Sequence, residues 1–347
     1  MKHFIITNRL INILPNGQER INEDGREEAR DEVRFAEYDT DTREYTLFPE
    51  PQPQTPIDSV RYKYRLVDGN DEVLLDENNE QVAINTLHGS VNAFTSLYRS
   101  LKQEPEGDVL FFVHGFNTNL NSALGALQEM HEKYVENGNN GIKHIVMFTW
   151  PAMGSVFEYR DDYRDAELSG FSLARVLLKL ETFYQDFLVT MGNEPCNSNL
   201  HFMTQSMGAV VLESMLNNLV SQNIILRVLF DKVLLMAADV DWTALEEPKP
   251  LYSLVDICQT VHIYIHRGDL ALGASETAKN PANRLGKYGP KNKNLIPSNI
   301  SCIDVTNVPS GNFPLNHSYF RTSDQVIADV LNVVQQATPV VGDRVLS

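Results

Sequence analysis

Hydrophobic residues follow two different patterns along the chain, and the pattern changes near residue 105. Beyond that point, unbroken apolar runs alternate with segments in which apolar residues recur every three or four positions. Unbroken runs are typical of strands buried on both faces, and the intervening periodicity is typical of amphipathic helices. The alternation predicts an α/β domain over 106–347 with a doubly wound, mostly parallel sheet. The six predicted strands are DVLFFV, KHIVMFT, NLHFMTQ, DKVLLMAA, TVHIYI and NISCID.

The segments between and after these strands contain the predicted helices. Residues 121–138 form an amphipathic segment that a glycine closes, and residues 165–192 form a long one with leucines at helical spacing. Another helix is predicted directly after Ser206, and the last over 324–336. These helices would cover both faces of the sheet.

Residues 1–105 predict a β-rich N-terminal extension that packs on the α/β domain. Residues 2–13, KHFIITNRLINI, are typical of a strand. Residues 59–75 alternate tyrosine and aliphatic side chains with charged ones around an Asp-Gly pair, which predicts a hairpin. Between these two segments, residues 22–41 are dense in charge and are predicted to be exposed.

Composition excludes some classes of function. The chain has 347 residues, 42% of them hydrophobic, and a formal net charge of -17. Nucleic-acid binding needs a dense basic surface, so this charge argues against a nucleic-acid partner. No apolar run approaches the ~20 residues of a membrane span, so stable membrane insertion is not expected. Polar residues interrupt the N-terminal apolar stretch, and the three cysteines have no zinc or CxxC spacing, which together predict a reduced, cytoplasmic protein.

Polar residues with catalytic potential follow several of the predicted strands. They are HGFN at 114–117, QSMG at 205–208, Asp269 after the fifth strand, and His317 in a loop beyond the last. In open α/β sheets, ligands bind outside the carboxyl ends of the strands. The chain order of serine, acid and histidine is the order found in α/β-hydrolases. The sequence therefore predicts a catalytic triad of Ser206, Asp269 and His317.

Ser206 lies where an apolar strand gives way to an apolar helix, which is the position of a nucleophile elbow. Such a turn leaves little room for side chains two positions before and after the serine. Gly208 meets the second requirement, whereas Thr204 brings a branched side chain to the first, and a slightly displaced elbow would accommodate it. The N-terminus of the following helix would favour negative charge on a substrate oxygen.

His317 is the favoured general base, because a loop position lets its imidazole reach across to the serine. His266 is close to Asp269 in sequence and is a competing residue for lining the pocket. Asp269 is favoured as the acid that orients Nδ1–H of the base. Asp239, which follows the preceding strand, is the alternative acid, and with Asp241 it could instead cap the next helical turn.

The backbone N–H groups of Phe116 and Met207 are predicted to form an oxyanion hole. Gly115 would allow the loop to approach the serine closely, and Asn117 would brace it. A simple strand-to-loop turn is the alternative interpretation of these residues. The predicted chemistry implies neither a metal ion nor an organic cofactor.

These motifs resemble a known family. The chain is similar to the bacterial α/β-hydrolases of the uncharacterised esterase/lipase superfamily type in the segments DVLFFVHGFNTN, VMFTWPA, TQSMGAVVLESML, LLMAADVD, NRLG and NHSYF. TNR at 7–9 and RFAEYD at 34–39 resemble the N-terminal extension of that family, so the resemblance spans nearly the whole chain. It departs from the family at Thr204 and Gln205, where members usually have Gly-His.

The resemblance implies an α/β-hydrolase fold with Ser206 as nucleophile, Asp269 as acid and His317 as base, and with Phe116 and Met207 as oxyanion donors. The predicted function is hydrolysis of a carboxylic ester, with a small ester or acyl compound as substrate and an acyl-enzyme as intermediate. Amide or thioester cleavage or acyl transfer on the same groups is the nearest alternative. A catalytically silent hydrolase fold used for binding is the other.

Overall fold

A ten-stranded sheet runs through the described part of the computed structural model. The described residues are 1–23, 33–50, 63–67, 71–75, 88–103, 107–136, 141–190, 192–224, 227–278, 282–309, 315–336 and 341–347. The strands of this sheet are β1 (Lys2–Thr7), β4 (Arg34–Asp39), β5 (Glu44–Leu47), β8 (Asp108–Val113), β9 (Ile142–Thr149), β10 (Leu200–Gln205), β11 (Phe230–Met236), β12 (Cys258–Ile265), β13 (Ile300–Asp304) and β14 (Arg344–Val345). Two separate pairs are β2 (Ile11–Ile13) with β3 (Glu19–Ile21), and β6 (Lys63–Val67) with β7 (Asp71–Leu75).

The helices lie mainly between these strands, as the apolar periodicity predicts. They are α1 (Gly89–Gln103), α2 (Leu120–Met130), α3 (Tyr159–Phe183), α4 (Gly208–Ser221), α5 (Leu270–Ala278), α6 (Leu285–Tyr288), α7 (Tyr319–Thr322) and α8 (Asp324–Gln335). Short π-helical turns extend α2 over His131–Glu136 and α3 over Tyr184–Thr190. Among the described helices, none is long and apolar enough to cross a membrane.

The strand order is β14-β13-β12-β11-β10-β8-β9-β1-β4-β5. Neighbours from β14 to β1 are parallel, and β4 and β5 add an antiparallel edge. All six predicted strands are present as β8 to β13, and the predicted doubly wound, mostly parallel sheet is confirmed. The parallel register places the ends of β8, β10, β11 and β12 at one edge, where the candidate catalytic residues follow them.

Two apolar cores cover the two faces of the sheet, because successive side chains of a strand point to opposite sides. Phe111 contributes to the core shared with α1, α3 and α4, and Phe112 to the core shared with α2 and α8. On β10, Phe202 contributes to the same core as Phe111, and Met203 to the same core as Phe112. Burial on both faces is why these strands read as unbroken apolar runs.

The N-terminal segment supplies strands to the same sheet. β1 pairs in parallel with β9, and β4 pairs antiparallel with β1. The prediction that residues 22–41 are exposed is wrong for 34–39, which form a mostly buried strand. The charged side chain of Arg34 can be buried because it forms a salt bridge with Glu19. The boundary between an extension at 1–105 and a domain at 106–347 stays a prediction.

The other N-terminal predictions differ in detail from the structure. The predicted strand at 2–13 ends at Thr7, since Asn8 and Arg9 turn away into buried hydrogen bonds. The predicted hairpin at 59–75 is present as β6 and β7, which pair antiparallel, and its turn at 68–70 lies outside the described residues.

The long helix begins earlier than the predicted start at residue 165. α3 begins at Tyr159 and follows a single 3-10 turn, which Ser155 caps by accepting a hydrogen bond from the N–H of Phe157. Asp161 and Asp162 lie in its first turn, where carboxylates favour a helix N-terminus. The apolar spacing alone misses this start because the first turn is polar.

Candidate active site

Ser206 occupies a sharp turn between β10 and α4. Its φ of 54° lies in the left-handed region, which is uncommon for a residue with a side chain. The turn is held on both sides: the N–H of Ser206 donates to the carbonyl of Met236 at 2.9 Å, and its carbonyl accepts from the N–H of Asp239 at 3.1 Å. This is the strained geometry of a nucleophile elbow.

The positions two residues before and two residues after Ser206 differ in the space that they leave for a side chain. A Cβ at Gly208 would lie 2.6 Å from the carbonyl oxygen of Val113 and 2.8 Å from that of His114, so only glycine fits there. Thr204, by contrast, is fully buried on β10, and its Oγ1 has no hydrogen-bond partner among the described residues. Ser206 keeps its left-handed backbone with a threonine at this position. The position two before the serine therefore accepts a side chain in this fold.

Asp269 and His317 are in direct contact. Oδ2 of Asp269 lies 2.7 Å from Nδ1 of His317, and Oδ1 accepts the N–H of Leu272 at 2.9 Å. The carboxylate is buried, which strengthens the interaction with the imidazole. A carboxylate oxygen accepts, so Nδ1–H of the imidazole donates in this contact and Nε2 is the ring nitrogen left for the serine.

The loop that carries His317 is anchored beside the elbow. The hydroxyl of Tyr319, two residues further, accepts the N–H of Ala237 at 2.8 Å and donates to the carbonyl of Tyr264 at 2.8 Å. Ala237 follows Met236, whose carbonyl binds the N–H of Ser206. No hydrogen bond joins Ser206 Oγ to His317 within the described residues. Catalytic hydrogen bonds are often long in ligand-free enzymes and tighten when substrate binds.

Asp239, the alternative acid, lies in a different buried cluster. Its Oδ2 accepts from the hydroxyl of Tyr159 and its Oδ1 from that of Ser275, both at 2.6 Å. The Nε of Arg284 lies 3.2 Å from Oδ1, off the direction of a hydrogen bond. Burial raises the pKa of Asp239, and Arg284, the two hydroxyls and the more distant His317 oppose this shift.

Asp241 caps the turn that follows it, which is the alternative role considered for it in place of the catalytic acid. Its Oδ1 accepts from the N–H of Thr243 at 2.8 Å and from the Thr243 hydroxyl at 2.5 Å. These bonds lower the pKa of Asp241 against the effect of burial. Asp241 thus stabilises the turn after β11 rather than contacting the histidine.

The HGFN loop lies against the elbow. A Cβ at Gly115 would lie 2.8 Å from Cβ of Ser206, so the close approach requires glycine. Neither Phe116 N–H nor Met207 N–H has a hydrogen-bond partner in the described part of the chain. Asn117 has a left-handed φ of 57°, and its N–H donates to Oδ2 of Asp162 at 3.2 Å. The loop therefore lies directly against the serine, carries a backbone donor at Phe116 with no partner among the described residues, and is braced from behind by Asp162.

His114 is buried beneath this loop and has no exposed catalytic nitrogen. Its Nδ1 lies 2.9 Å from the carbonyl oxygen of Gly115, and its Nε2 accepts the N–H of Trp150 at 3.2 Å. Burial, with a further contribution from the nearby charge of Arg9, lowers the pKa of His114 to about 3. The imidazole is therefore neutral. His266, the competing pocket histidine, accepts the N–H of Gly268 on its Nδ1 at 3.1 Å.

The contacts of several residues around the site are not predicted by sequence reasoning. Tyr159, Ser275 and Arg284 surround Asp239, while Asp162 and Arg9 lie behind the HGFN loop. Tyr159 also packs on Phe116, with ring centroids 5.1 Å apart. The one available signal was the charged residue Arg9 within an otherwise apolar N-terminal run, since a buried charge needs partners.

An apolar cavity lies away from the site. A cavity of about 400 Å³ is lined by Phe94, Tyr98 and Phe183 and by residues near the amino ends of the strands, opposite Ser206. Trp150 is fully buried next to His114 and donates its Nε1–H to the His114 carbonyl at 2.9 Å. Within the described residues, no group of three His, Cys, Asp or Glu side chains could hold a metal ion.

The sheet, the elbow and the carboxylate–histidine pair at one sheet edge define an α/β-hydrolase. Residues 90–334 match the model of the family described as "Alpha/beta hydrolase of unknown function (DUF900)", and the chain belongs to that family. None of the curated proteins matches this chain.

Two solved structures show distant similarity. One is RedJ with a PEG molecule bound in its active site, at 12% identity and a TM-score of 0.27, with 70% of this chain and 85% of that chain covered. The other is the acylaminoacyl peptidase of Pyrococcus horikoshii, at 11% identity and a TM-score of 0.26. That alignment covers 91% of this chain and 41% of the peptidase.

Proposed function

We propose that the protein is a serine hydrolase that cleaves carboxylic esters through an acyl-enzyme intermediate. The observation that carries the proposal is the 2.7 Å contact between Asp269 and His317, at the sheet edge where Ser206 forms a left-handed elbow. Membership of an alpha/beta hydrolase family supports the same class of reaction. Ser206, Asp269 and His317 are the proposed nucleophile, acid and base.

The proposed reaction begins with attack of Ser206 Oγ on the ester carbonyl carbon. Nε2 of His317 takes the hydroxyl proton and passes it to the departing alcohol, so the C–O bond of the ester breaks as the acyl-enzyme forms. Asp269 holds Nδ1–H and stabilises the imidazolium. Water then attacks the acyl-enzyme with the same histidine as base, which releases the acid and restores Ser206.

The N–H groups of Phe116 and Met207 are the proposed oxyanion donors. Both lack hydrogen-bond partners among the described residues. Met207 directly follows Ser206, and Phe116 directly follows Gly115, which lies against Ser206. Each donor of this kind is typically worth ~3 kcal/mol in the transition state. The N-terminus of α4, which starts at Gly208, adds a favourable field for the developing charge.

Fluorophosphonate labelling and p-nitrophenyl ester hydrolysis test this proposal together. The wild-type protein should be labelled on Ser206 and should hydrolyse p-nitrophenyl acetate. Ser206→Ala should lose both activities, whereas Ser275→Ala, which removes another buried hydroxyl near the site, should still be labelled. Absence of labelling in the wild type, or equal labelling of Ser206→Ala, would leave a silent fold used for binding as the better interpretation.

Matched acyl compounds distinguish the ester reaction from its nearest alternatives. Amides and thioesters pass through the same tetrahedral oxyanion, so the proposed groups serve all three. We expect kcat/KM for a p-nitrophenyl ester to exceed that for the p-nitroanilide of the same acid. A higher value for the anilide or the corresponding thioester would transfer the proposal to that substrate class.

We also infer a cytoplasmic location. Cys196, Cys258 and Cys302 are free, which supports a reducing compartment. Burial raises the pKa of the Cys258 and Cys302 thiols to about 12, so these two side chains are unreactive. Cell fractionation tests this inference, and recovery outside the cytoplasm would contradict it.

A further inference from the structure

The peptide bond between Gly115 and Phe116 carries the proposed oxyanion donor. In a trans peptide the C=O and the N–H point in opposite directions, so fixing one fixes the other. The carbonyl oxygen of Gly115 accepts from Nδ1 of His114 at 2.9 Å. The direction of the Phe116 N–H therefore depends on this imidazole.

Hydrogen bonds determine which nitrogen of His114 carries the proton. The N–H of Trp150 donates to Nε2 at 3.2 Å, so Nε2 accepts and Nδ1 is the donor. The Oγ1 of Thr149 lies 3.0 Å from the same Nε2. In this tautomer the neutral imidazole donates from Nδ1 to the Gly115 carbonyl. This bond fixes the orientation of the Gly115–Phe116 peptide, which carries the proposed oxyanion donor.

Arg9 completes this chain of hydrogen bonds. Its Nε donates to Oγ1 of Thr149 at 3.0 Å, which directs the Thr149 hydroxyl proton towards Nε2 of His114. Its Nη2 donates to the carbonyl of Thr118 at 2.8 Å, at the far end of the HGFN loop. Arg9 is almost completely buried, so its position is fixed by these contacts.

The rest of the TNR segment fixes Arg9 and the surrounding elements. The hydroxyl of Thr7 donates to the carbonyl of Thr149 at 2.8 Å and accepts the N–H of Arg9 at 3.0 Å. Asn8 donates from Nδ2 to the hydroxyl of Ser169 on α3 at 2.9 Å. The same helix supplies Asp162, which binds the N–H groups of Asn117 and Met153 at 3.2 and 2.8 Å.

We propose that the N-terminal TNR segment positions the oxyanion hole, with Arg9 acting through Thr149 and His114 on the Gly115–Phe116 peptide. This inference rests on the proposed function for the role of the Phe116 N–H. Arg9, Thr149 and His114 are positioning residues, because none of them contacts the reacting atoms. The segment lies outside residues 90–334, which match the family model, so the N-terminal strand adds a part of the site that the family match does not include.

Substitution of Thr149 tests the relay with little change in shape. Thr149→Val removes the hydroxyl and should lower kcat for p-nitrophenyl acetate by about 10-fold or more with little change in KM, because an oxyanion donor acts in the transition state. Thr149→Ser keeps the hydroxyl and should restore kcat. Thr260→Val is the matched control, since Thr260 Oγ1 also lies 3.0 Å from a buried histidine Nε2, that of His262, but at the opposite end of the sheet.

Equal kcat values for Thr149→Val and Thr260→Val would overturn the inference. Hydrogen exchange gives a second readout that does not depend on catalysis: amides of residues 114–118 should exchange faster in Thr149→Val than in the wild type and in Thr260→Val. If the wild type hydrolyses no ester, the proposed function fails, and exchange alone then decides whether the loop is positioned in this way. Unchanged exchange of the loop would overturn the inference.

Arg9→Met extends the test to the N-terminal segment. It should lower kcat and accelerate exchange at 114–118 as Thr149→Val does. Arg34→Met removes another buried arginine of the N-terminal segment, whose partners are Glu19 and the carbonyl of Phe48, and should leave kcat and the loop unchanged. A kcat loss of the same size in Arg34→Met would mean that general destabilisation, and not positioning, causes the effect.

Discussion

The hydroxyl of Tyr159 lies 2.6 Å from Oδ2 of Asp239, and this contact separates the roles of the two carboxylates near the site. Tyr159, Ser275 and Arg284 surround Asp239, whereas Asp269 directs an oxygen at Nδ1 of His317. A carboxylate that is engaged by two hydroxyls and a guanidinium is already satisfied. Asp269 is therefore the proposed acid, and Asp239 contributes to the surrounding structure.

Asparagine substitutions at the two carboxylates should separate these roles. Asp269→Asn should lower kcat by about 10⁴-fold, because an amide in place of the carboxylate favours the wrong imidazole tautomer. Asp239→Asn keeps the shape of its cluster and should lower kcat much less. Steady-state kinetics with p-nitrophenyl acetate measures both. A larger loss in Asp239→Asn would transfer the role of the acid to that residue.

Tyr159→Phe should lower the free energy of unfolding by ~1–3 kcal/mol, because a buried carboxylate would lose one of its donors. Asp239 keeps Ser275 and Arg284, so the protein should still fold. Urea denaturation measures the change. Tyr184→Phe removes a hydroxyl from a tyrosine that is 48% exposed and should have little effect. Equal stability of the two variants would show that the Tyr159 hydroxyl contributes nothing.

The sequence predicts those features that local pattern determines. Apolar runs identify β8 to β13 because both faces of those strands are buried, and the chain order of Ser206, Asp269 and His317 follows from the residues after the strand ends. The strand at 34–39 is missed because its charged residues suggest exposure, and only the structure shows that Glu19 neutralises Arg34.

Contacts between distant residues cannot be predicted from such patterns. Arg9 and Thr149 are 140 residues apart in sequence, and Tyr159 and Asp239 are 80 apart. Each is an ordinary polar residue within its own segment, and its partner is determined by the strand order of the sheet. The parts that position the site therefore emerge only when β1 is seen to lie beside β9.

Gly208→Ala should lower both activity and stability. The added Cβ would lie within 2.6 Å of the Val113 carbonyl and 2.8 Å of the His114 carbonyl, and both atoms belong to backbone that cannot move cheaply. We expect a loss of ~1–3 kcal/mol in unfolding free energy and a lower kcat, because the elbow must shift.

Gly125→Ala on α2 is the matched control, since nothing lies within 4 Å of the added Cβ. Alanine is favoured over glycine inside a helix, so this variant should be neutral or more stable by up to ~1 kcal/mol. Thermal unfolding and kcat should be measured for both variants. A Gly208→Ala protein with wild-type values would mean that the elbow tolerates a side chain.

Acidification should destabilise the protein well above the pH at which carboxylates are protonated. Burial is the main cause that lowers the pKa of His3 and of His114 to about 3 and that of His262 to about 4. Histidines of the unfolded chain have a pKa of ~6.5. At any pH between the lowered pKa values of the folded state and this value, the unfolded chain therefore binds more protons than the folded chain. The stability is therefore complete above pH ~6.5 and falls as the pH decreases towards 4.

His262→Leu isolates one of these contributions. Nδ1 of His262 has no hydrogen-bond partner among the described residues, so the substitution removes the contact of Nε2 with the Thr260 hydroxyl at 3.0 Å and no bond at Nδ1. Each buried histidine contributes up to ~1.4 kcal/mol per pH unit to the slope of unfolding free energy against pH. Urea denaturation between pH 7 and pH 5 should give a slope that is shallower in the variant by up to this amount. An unchanged slope would mean that His262 binds its proton equally well in the folded and unfolded states.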